Sequence, residues 1–164
     1  MSSFRGIWVA LVTPFRAGEV DFAALQALVG KLLEDGVAGF VVCGTTGEAA
    51  ALSHAEQLAV LDAVLQWVPS QQVIMGLAGN NLRELLAFQQ EVQQRPLAGV
   101  LVPAPYYIRP SQQGLESFFR QVADASTVPV VLYDIPYRTG VRIERETLRR
   151  IVRHPRIAAI KDCG

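Results

Sequence analysis

The stretch GFVVCGTTGE, residues Gly39–Glu48, joins an apolar run to a turn of glycine and threonine. The run GFVVC does not alternate apolar with polar residues, which is typical of a parallel strand covered on both faces. Further β-rich runs of this kind begin at positions 7, 72, 98, 129 and 157. Their spacing of about 30 residues is that of a βα unit, so the sequence predicts parallel strands alternating with helices.

Helices are predicted between these runs from apolar residues at steps of three and four. The first pattern runs from Phe22 to Leu33, and the next begins with SHAE, in which Ser53 and Glu56 have the spacing of a capping box. Later patterns cover 85–92, 115–122 and 148–152, with Ser111 as the predicted cap of the second of these. The prediction is therefore six strands and five helices, without a linker.

Two α/β architectures fit this order, and periodicity alone does not separate them. One is a doubly wound sheet. A (β/α)8 TIM barrel is favoured, because GTTGE follows the second run rather than the first and no G-x-G-x-x-G motif opens the chain. Eight units would need roughly 240 residues. Residues 1–164 are therefore predicted to be the N-terminal part of a single barrel domain, truncated after the sixth strand.

Composition argues against several classes of function. The 15 basic and 15 acidic residues cancel, and no cluster of them is dense enough to follow a phosphate backbone, so nucleic-acid binding is not expected. No apolar stretch approaches the roughly 20 residues of a membrane helix. Reduced thiols are expected at Cys43 and Cys163, and the protein is predicted to be cytoplasmic. Two distant histidines and no paired Cys/His spacing predict no metal site.

The sixth run, IAAIK, ends in Lys161. In a barrel this lysine would lie at the carboxyl end of a strand, where active sites are built. Desolvation there would disfavour the ammonium form, and a neutral amine can attack a carbonyl carbon, as Schiff-base catalysis requires. The alternative is a lysine that extends from the strand end into solvent.

Other polar motifs follow the strand runs. GTTGE offers backbone N–H groups on a glycine-permitted turn and two hydroxyls, all donors suited to a small carboxylate. PAPYYIRPSQQGL places Tyr106 and Tyr107 between prolines that stiffen the loop. LYDIPYRTG places Tyr133 at a strand end and Arg138 five residues later, where a guanidinium could grip a second carboxylate.

Taken together, LVTPF, CGTTGE, PYYIRPSQQGL, LYDIPYRTG and IKDCG resemble the dihydrodipicolinate synthase and N-acetylneuraminate lyase family of pyruvate-dependent class I aldolases, and the tyrosine and arginine motifs resemble its synthase branch. The resemblance covers essentially the whole chain. It implies a (β/α)8 barrel, a homotetramer or dimer of dimers at full length, and no cofactor. The implied reaction condenses pyruvate with L-aspartate-4-semialdehyde to 4-hydroxy-tetrahydrodipicolinate in lysine biosynthesis.

The resemblance also implies a role for each matching residue. Lys161 forms the imine with pyruvate and Tyr133 transfers protons. Thr45 links Tyr133 to Tyr107, and Tyr107 reaches into a neighbouring subunit's site. Thr46 and Gly47 bind the carboxylate of pyruvate, and Arg138 binds the carboxylate of the aldehyde. A possible allosteric lysine site comprises His54, Asn80, Glu84 and Tyr106, although Gln57 stands where a histidine is often found, and His54 and Glu84 could equally be exposed first-turn residues.

The chain departs from the family pattern in three ways. GLAGNN replaces the usual Gly-Thr-Gly pattern from Gly76, and Asp134 and Tyr137 stand where asparagine and serine are more common. A related pyruvate aldolase acting on another aldehyde or a 2-keto-3-deoxy acid is therefore a second hypothesis. The ending after the sixth run predicts exposed strand edges. From this comes a third hypothesis, an inactive half-barrel that serves only as an assembly module.

Overall fold

The computed structural model describes residues 4–164, so the first three residues of the predicted domain lie outside it. These residues form two compact units. The first comprises residues 4–76 with Pro96–Ala98, and the second comprises Leu77–Arg95 with Gly99–Gly164. That residues 1–164 belong to a single barrel domain stays a prediction.

The first unit has three parallel strands in the order β1, β4, β5, with α1 packed on α2. Its elements are β1 (Trp8–Ala10), β2 (Phe15–Arg16), β3 (Glu19–Val20), α1 (Phe22–Glu34), β4 (Gly39–Val42), α2 (His54–Trp67) and β5 (Val73–Gly76). Short 3₁₀ turns cover Ala49–Ala51 and Ser70–Gln72. The antiparallel β2–β3 hairpin was not predicted, because strands of two residues carry no periodicity.

The second unit has three parallel strands in the order β6, β7, β8, and α4 packs on α6. Its elements are α3 (Leu82–Val92), β6 (Gly99–Pro103), α4 (Gln112–Asp124), β7 (Val130–Asp134), α5 (Pro136–Thr139), α6 (Arg145–Ile151) and β8 (Ile157–Asp162). The one-turn helix α5 was not predicted. It begins at a proline, which is suited to the first helical position, and ends at Gly140 in the left-handed region.

The predicted helix caps are confirmed. Ser53 accepts a hydrogen bond from the backbone N–H of Glu56 at 3.3 Å, while the Glu56 carboxylate accepts one from the Ser53 N–H at 2.8 Å. Ser111 accepts from the Gly114 N–H at 3.2 Å at the start of α4. These bonds fix where α2 and α4 begin, immediately after the two strand-end loops in which chemistry was predicted.

The burial of the strands follows the sequence prediction for some strands and not for others. Every residue of β4, β5 and β7 is buried, as expected for runs that are apolar on both faces. In β8, by contrast, half-buried and exposed residues alternate, and β1 is half-buried throughout. Within the described residues β8 pairs only with β7, so its other edge is open and its exposed face is uncovered.

Gly76 ends β5 where two chain segments touch. A Cβ at this position would collide with the carbonyl oxygen of Cys43 and lie 3.0 Å from the Cα of Gly44. We expect Gly76→Ala to lower the free energy of unfolding by about 1–3 kcal/mol, the usual cost of overpacking. Urea unfolding followed by circular dichroism measures this change.

Gly30 provides the matched control, because it lies in the interior of α1 and a Cβ added there would have nothing within 4 Å. Gly30→Ala should raise the free energy of unfolding by about 0.5–1 kcal/mol, since glycine is a poor helix former. A Gly76→Ala protein as stable as the unsubstituted chain would contradict the close approach of β5 to the loop after β4.

Candidate active site

Lys161 and Tyr133 are brought together by the register of two neighbouring strands. Tyr133 of β7 pairs with Lys161 of β8, and the Lys161 Nζ lies 4.4 Å from the centroid of the Tyr133 ring. This distance is within the range of a cation–π contact. Tyr133 is only 6% exposed, while Lys161 is half-buried. The sequence predicted a desolvated amine, whereas the Lys161 residue is half-buried.

Asp134, the residue after Tyr133 in β7, carries a buried carboxyl group. Its Oδ1 accepts a hydrogen bond from the Ile143 N–H at 3.2 Å, and its backbone oxygen accepts one from the Cys163 N–H at 2.8 Å. Burial raises the pKa of Asp134, and the negative charge of Asp162 raises it further, whereas the Ile143 bond and the positive charge of Arg142 oppose the rise. Asp134 therefore ties the loop after α5 to the end of β7.

A cleft of about 630 Å³ lies in the second unit. It is lined by the loop after β6 and by α5, through Tyr106, Tyr107, Arg109, Tyr137, Arg138, Thr139 and Gly140. The guanidinium carbon of Arg138 lies 5.6 Å from the centroid of the Tyr137 ring, a contact that restrains the arginine. The structure thus brings together Tyr106, Tyr107 and Arg138, all predicted site residues, whereas Lys161 and Tyr133 do not line this cleft.

The loop after β6 has an unusual backbone. Tyr107 has φ 71° and Arg109 has φ 44°, both left-handed and neither a glycine. Such a conformation costs roughly 1–2 kcal/mol per residue, and strain of this kind clusters at functional sites. Tyr107 is 88% exposed, so its ring is presented to solvent rather than packed in the core. The prolines in the sequence predicted a stiff loop, but sequence reasoning did not identify Arg109, although it lies inside the motif PYYIRPSQQGL.

The predicted carboxylate-binding turn lies in the first unit. Thr45 and Thr46 are exposed, whereas Gly47 is buried, and its carbonyl accepts a hydrogen bond from the Thr13 hydroxyl at 2.7 Å. A Cβ at Gly47 would lie 2.9 Å from the Leu11 carbonyl oxygen, so this glycine permits a close approach. Gly47 thus permits the turn through its lack of a side chain, while the left-handed residues of this segment are Cys43 and Glu48.

A buried glutamine supports this turn, and sequence reasoning missed its role. The Gln57 side-chain amide donates hydrogen bonds to the carbonyls of Ala49 at 3.1 Å and Leu52 at 3.2 Å. The Cys43 thiol donates to the Gln57 carbonyl at 3.7 Å, and burial raises the pKa of Cys43 to about 12. Both Cys43 and Cys163 are free thiols, as predicted. The amide of Gln57 is therefore committed to holding the chain between the turn and α2.

The residues of the possible allosteric site are all exposed. His54 is the first residue of α2 in the first unit, while Asn80, Glu84 and Tyr106 belong to the second unit. Their role stays a prediction.

Two further observations concern the range 4–164. In this range no group of three or more His, Cys, Asp or Glu side chains is placed to hold a metal ion. Nor does any helix of these residues have the length and apolarity to cross a membrane.

The chain is similar to known proteins over nearly its whole length. The model of the dihydrodipicolinate synthetase family matches residues 3–164. A 4-hydroxy-tetrahydrodipicolinate synthase from Pelobacter propionicus is 42% identical over 160 residues, which are 97% of this chain and 55% of that protein. The chain therefore spans about half the length of the curated relatives it matches.

Solved structures agree with the family match. The chloride-inhibited dihydrodipicolinate synthase from Acinetobacter baumannii, complexed with pyruvate, superposes with a TM-score of 0.93 at 34% identity, covering 98% of this chain and 56% of that one. DHDPS from Cyanidioschyzon merolae with lysine bound gives a TM-score of 0.93 at 35% identity, with the same coverage of the two chains. The predicted α/β fold class, that of the (β/α)8 barrel, is confirmed.

The chain belongs to the dihydrodipicolinate synthetase family. The predicted family is therefore confirmed, and its curated relatives are named as synthases.

Asp134 generates a prediction about pH. Its raised pKa means that the folded chain binds a proton more tightly than the unfolded chain, so stability from this group is present at acid pH and is lost as the pH rises through the folded-state pKa. Asp134→Asn keeps an acceptor for Ile143 and removes the charge. We expect this variant to be more stable than the unsubstituted protein near neutral pH, with a smaller difference at about pH 4.

Thermal unfolding across this pH range measures the difference. Asp35→Asn, at an exposed position after α1, controls for the loss of one charge. A pH dependence of stability that is the same in Asp134→Asn and in the unsubstituted protein would show that the Asp134 carboxyl does not contribute to it.

Proposed function

We propose that this chain carries the imine-forming part of a Schiff-base lyase that condenses pyruvate with L-aspartate-4-semialdehyde to give 4-hydroxy-tetrahydrodipicolinate. The observation that carries the proposal is the pairing of Lys161 with Tyr133, with the amine 4.4 Å from the centroid of the buried ring. Support comes from the names of the relatives and from the related Acinetobacter baumannii structure, which is a complex with pyruvate.

The first step would form a covalent bond to Lys161. Its neutral amine adds to the ketone carbon of pyruvate, and water leaves to give an imine. The β7–β8 ladder restricts where the amine can point, which supports attack from one direction. Tyr133 would transfer protons to and from the reacting atoms. Its burial supports that role, and Thr45 and Tyr107 would relay protons as the family resemblance implies.

The second step would form a carbon–carbon bond. The imine accepts electrons as a proton leaves the pyruvate methyl group, and the enamine carbon then attacks the aldehyde carbon, whose oxygen takes up a proton. The substrate's amine displaces Lys161 in closing the ring and so returns the free amine. Thr46 and Gly47 would bind the pyruvate carboxylate, and Arg138 would bind the carboxylate of the aldehyde in bidentate fashion. This chemistry requires neither a metal nor an organic cofactor.

Assembly forms part of the proposal. A homotetramer or dimer of dimers is proposed for the full-length protein, in which Tyr107 reaches a neighbouring subunit's site. The 88% exposure of Tyr107 supports this, because a large aromatic ring presented to solvent is a frequent interface residue. The proposal also includes regulation by lysine through His54, Asn80, Glu84 and Tyr106. It is supported by the exposure of these residues and by the related Cyanidioschyzon merolae structure, which has lysine bound.

A second candidate is a related pyruvate aldolase that uses another aldehyde or a 2-keto-3-deoxy acid. The observation that favours it is Tyr137, which is 72% exposed, lines the cleft and contacts Arg138. A tyrosine where the synthases more often carry serine narrows the space next to the proposed carboxylate site. The imine chemistry at Lys161 is common to both candidates.

Pyruvate and borohydride test the proposed imine. The sequence contains two lysines, Lys31 and Lys161, so each serves as the control for the other. Lys31 is exposed and pairs with Asp35 at 3.4 Å, whereas Lys161 is half-buried against an aromatic ring. We expect reduction in the presence of pyruvate to add one carboxyethyl group to Lys161 and none to Lys31, as measured by peptide mass spectrometry.

Lys161→Arg should abolish the adduct, and Lys31→Arg should leave it unchanged. Equal labelling of both lysines would indicate non-specific reaction and contradict the proposal. A folded chain that gives no adduct would instead favour the third hypothesis, an assembly module without catalysis.

Arg138→Ala tests the second substrate site. Because Arg138 lines the cleft and Lys161 does not, we expect the KM for the aldehyde to rise at least tenfold while the pyruvate adduct on Lys161 still forms. Steady-state kinetics with both substrates varied, together with trapping, measures the two effects. Equal loss of pyruvate labelling would show that Arg138 does not act on the aldehyde alone.

A further inference from the structure

The cleft contains a second guanidinium group that the proposed reaction leaves unassigned. Arg109 lies on the loop after β6 and lines the same cleft as Arg138. Three tyrosines, one threonine and one glycine complete the lining, so two positive charges face this space and no carboxylate does. A cleft of this composition favours an anion over a neutral ligand.

The fold holds Arg109 in place through Gly140. A Cβ at Gly140 would lie 2.7 Å from the Arg109 Nε and 3.3 Å from its Cγ, so the arginine side chain runs directly over the glycine backbone. Gly140 has φ 74° and closes α5 with a hydrogen bond from its N–H to the Pro136 carbonyl at 2.7 Å. Arg109 is therefore anchored at the end of the same short helix that carries Arg138.

Both cleft arginines contact uncharged neighbours: Arg138 lies over the Tyr137 ring, and the Arg109 side chain runs over Gly140. Within residues 4–164, Arg109 and Arg138 make no ion pair, whereas Arg120, Arg149 and Arg150 of the same unit each pair with a glutamate. Arg109 also has a left-handed backbone, at φ 44°. Both guanidinium groups therefore face the cleft with charges that no ion pair within residues 4–164 neutralises, which leaves them available to an anion.

We propose that Arg109 is a specificity-determining residue that binds the carboxylate of the aldehyde together with Arg138. The two oxygens of a carboxylate can accept hydrogen bonds from both guanidinium groups. A guanidinium group can also donate two parallel hydrogen bonds to one carboxylate. The ligand class is a short-chain aldehyde with a terminal carboxylate. This inference rests on the proposed function for the identity of the reaction, but the anion site can be tested without it.

Binding of an unreactive ligand pair tests the site directly. The probes are 4-hydroxybutanoate and its neutral isostere 4-hydroxybutanamide, titrated without pyruvate and followed by ligand-detected NMR. The unsubstituted protein should bind the carboxylate more tightly than the amide. Arg109→Gly, which suits the left-handed backbone, should weaken carboxylate binding about tenfold and leave amide binding unchanged.

Two further variants separate the effect of the guanidinium geometry from the effects of charge and of losing any exposed arginine. Arg109→Lys keeps the positive charge but loses the planar guanidinium that can donate two parallel hydrogen bonds. Its affinity for 4-hydroxybutanoate should therefore lie between the affinities of Arg109→Gly and the unsubstituted protein. Arg153→Ala removes an exposed arginine that lies outside the cleft and should change neither affinity. The pyruvate adduct on Lys161 should form equally in every one of these proteins.

The outcomes are distinguishable. Unchanged carboxylate affinity in Arg109→Gly overturns the inference, as does a parallel loss for carboxylate and amide, which would mean that the cleft has collapsed. If the unsubstituted protein does not prefer the carboxylate, the inference also fails. Loss of carboxylate preference in Arg109→Gly supports it even where no pyruvate adduct forms, a result that would overturn the proposed function alone.

Discussion

The pairing of β7 with β8 is the constraint on which the candidate chemistry depends. The ladder begins with Val130 opposite Ile157, but the next pair is Val131 opposite Ala159, so β8 carries one extra residue at this point. Without that irregularity Tyr133 would face Ile160 instead of Lys161. Since a shift of one residue turns a side chain to the other face of a sheet, the bulge decides whether the amine meets the aromatic ring.

In each unit, loops with a strained backbone carry polar groups. Cys43 and Glu48 flank the threonine turn, and Tyr107 and Arg109 lie in the loop after β6, all with left-handed backbones that are rarely adopted by residues other than glycine. Buried hydrogen bonds from Thr13 and Gln57 stabilise the first loop. Rigid strands with constrained loops at their ends are a frequent way to hold reactive side chains in fixed positions.

Family membership concerns the fold of the chain, whereas the departures from the family pattern concern individual residues of β7 and of the cleft. The family match covers residues 3–164, and the structural superposition covers 98% of the chain, so the fold class rests on nearly every element. Of the two departures in LYDIPYRTG, Asp134 is a buried residue of β7, and Tyr137 lines the cleft. Asp134 remains an acceptor for a backbone N–H, which is the part of its role that an asparagine would share.

Local patterns were enough to predict the six parallel strands, the five longer helices, the caps at Ser53 and Ser111, and Lys161 as the candidate nucleophile, because periodicity, capping and motif spacing are local properties. The three-dimensional structure was needed to find the bulge in β8, the half-burial of Lys161 and the packing of Arg109 on Gly140. These features depend on which segments meet in space. Strand register and side-chain exposure are set by neighbours distant in the chain, and no local pattern of residues encodes them.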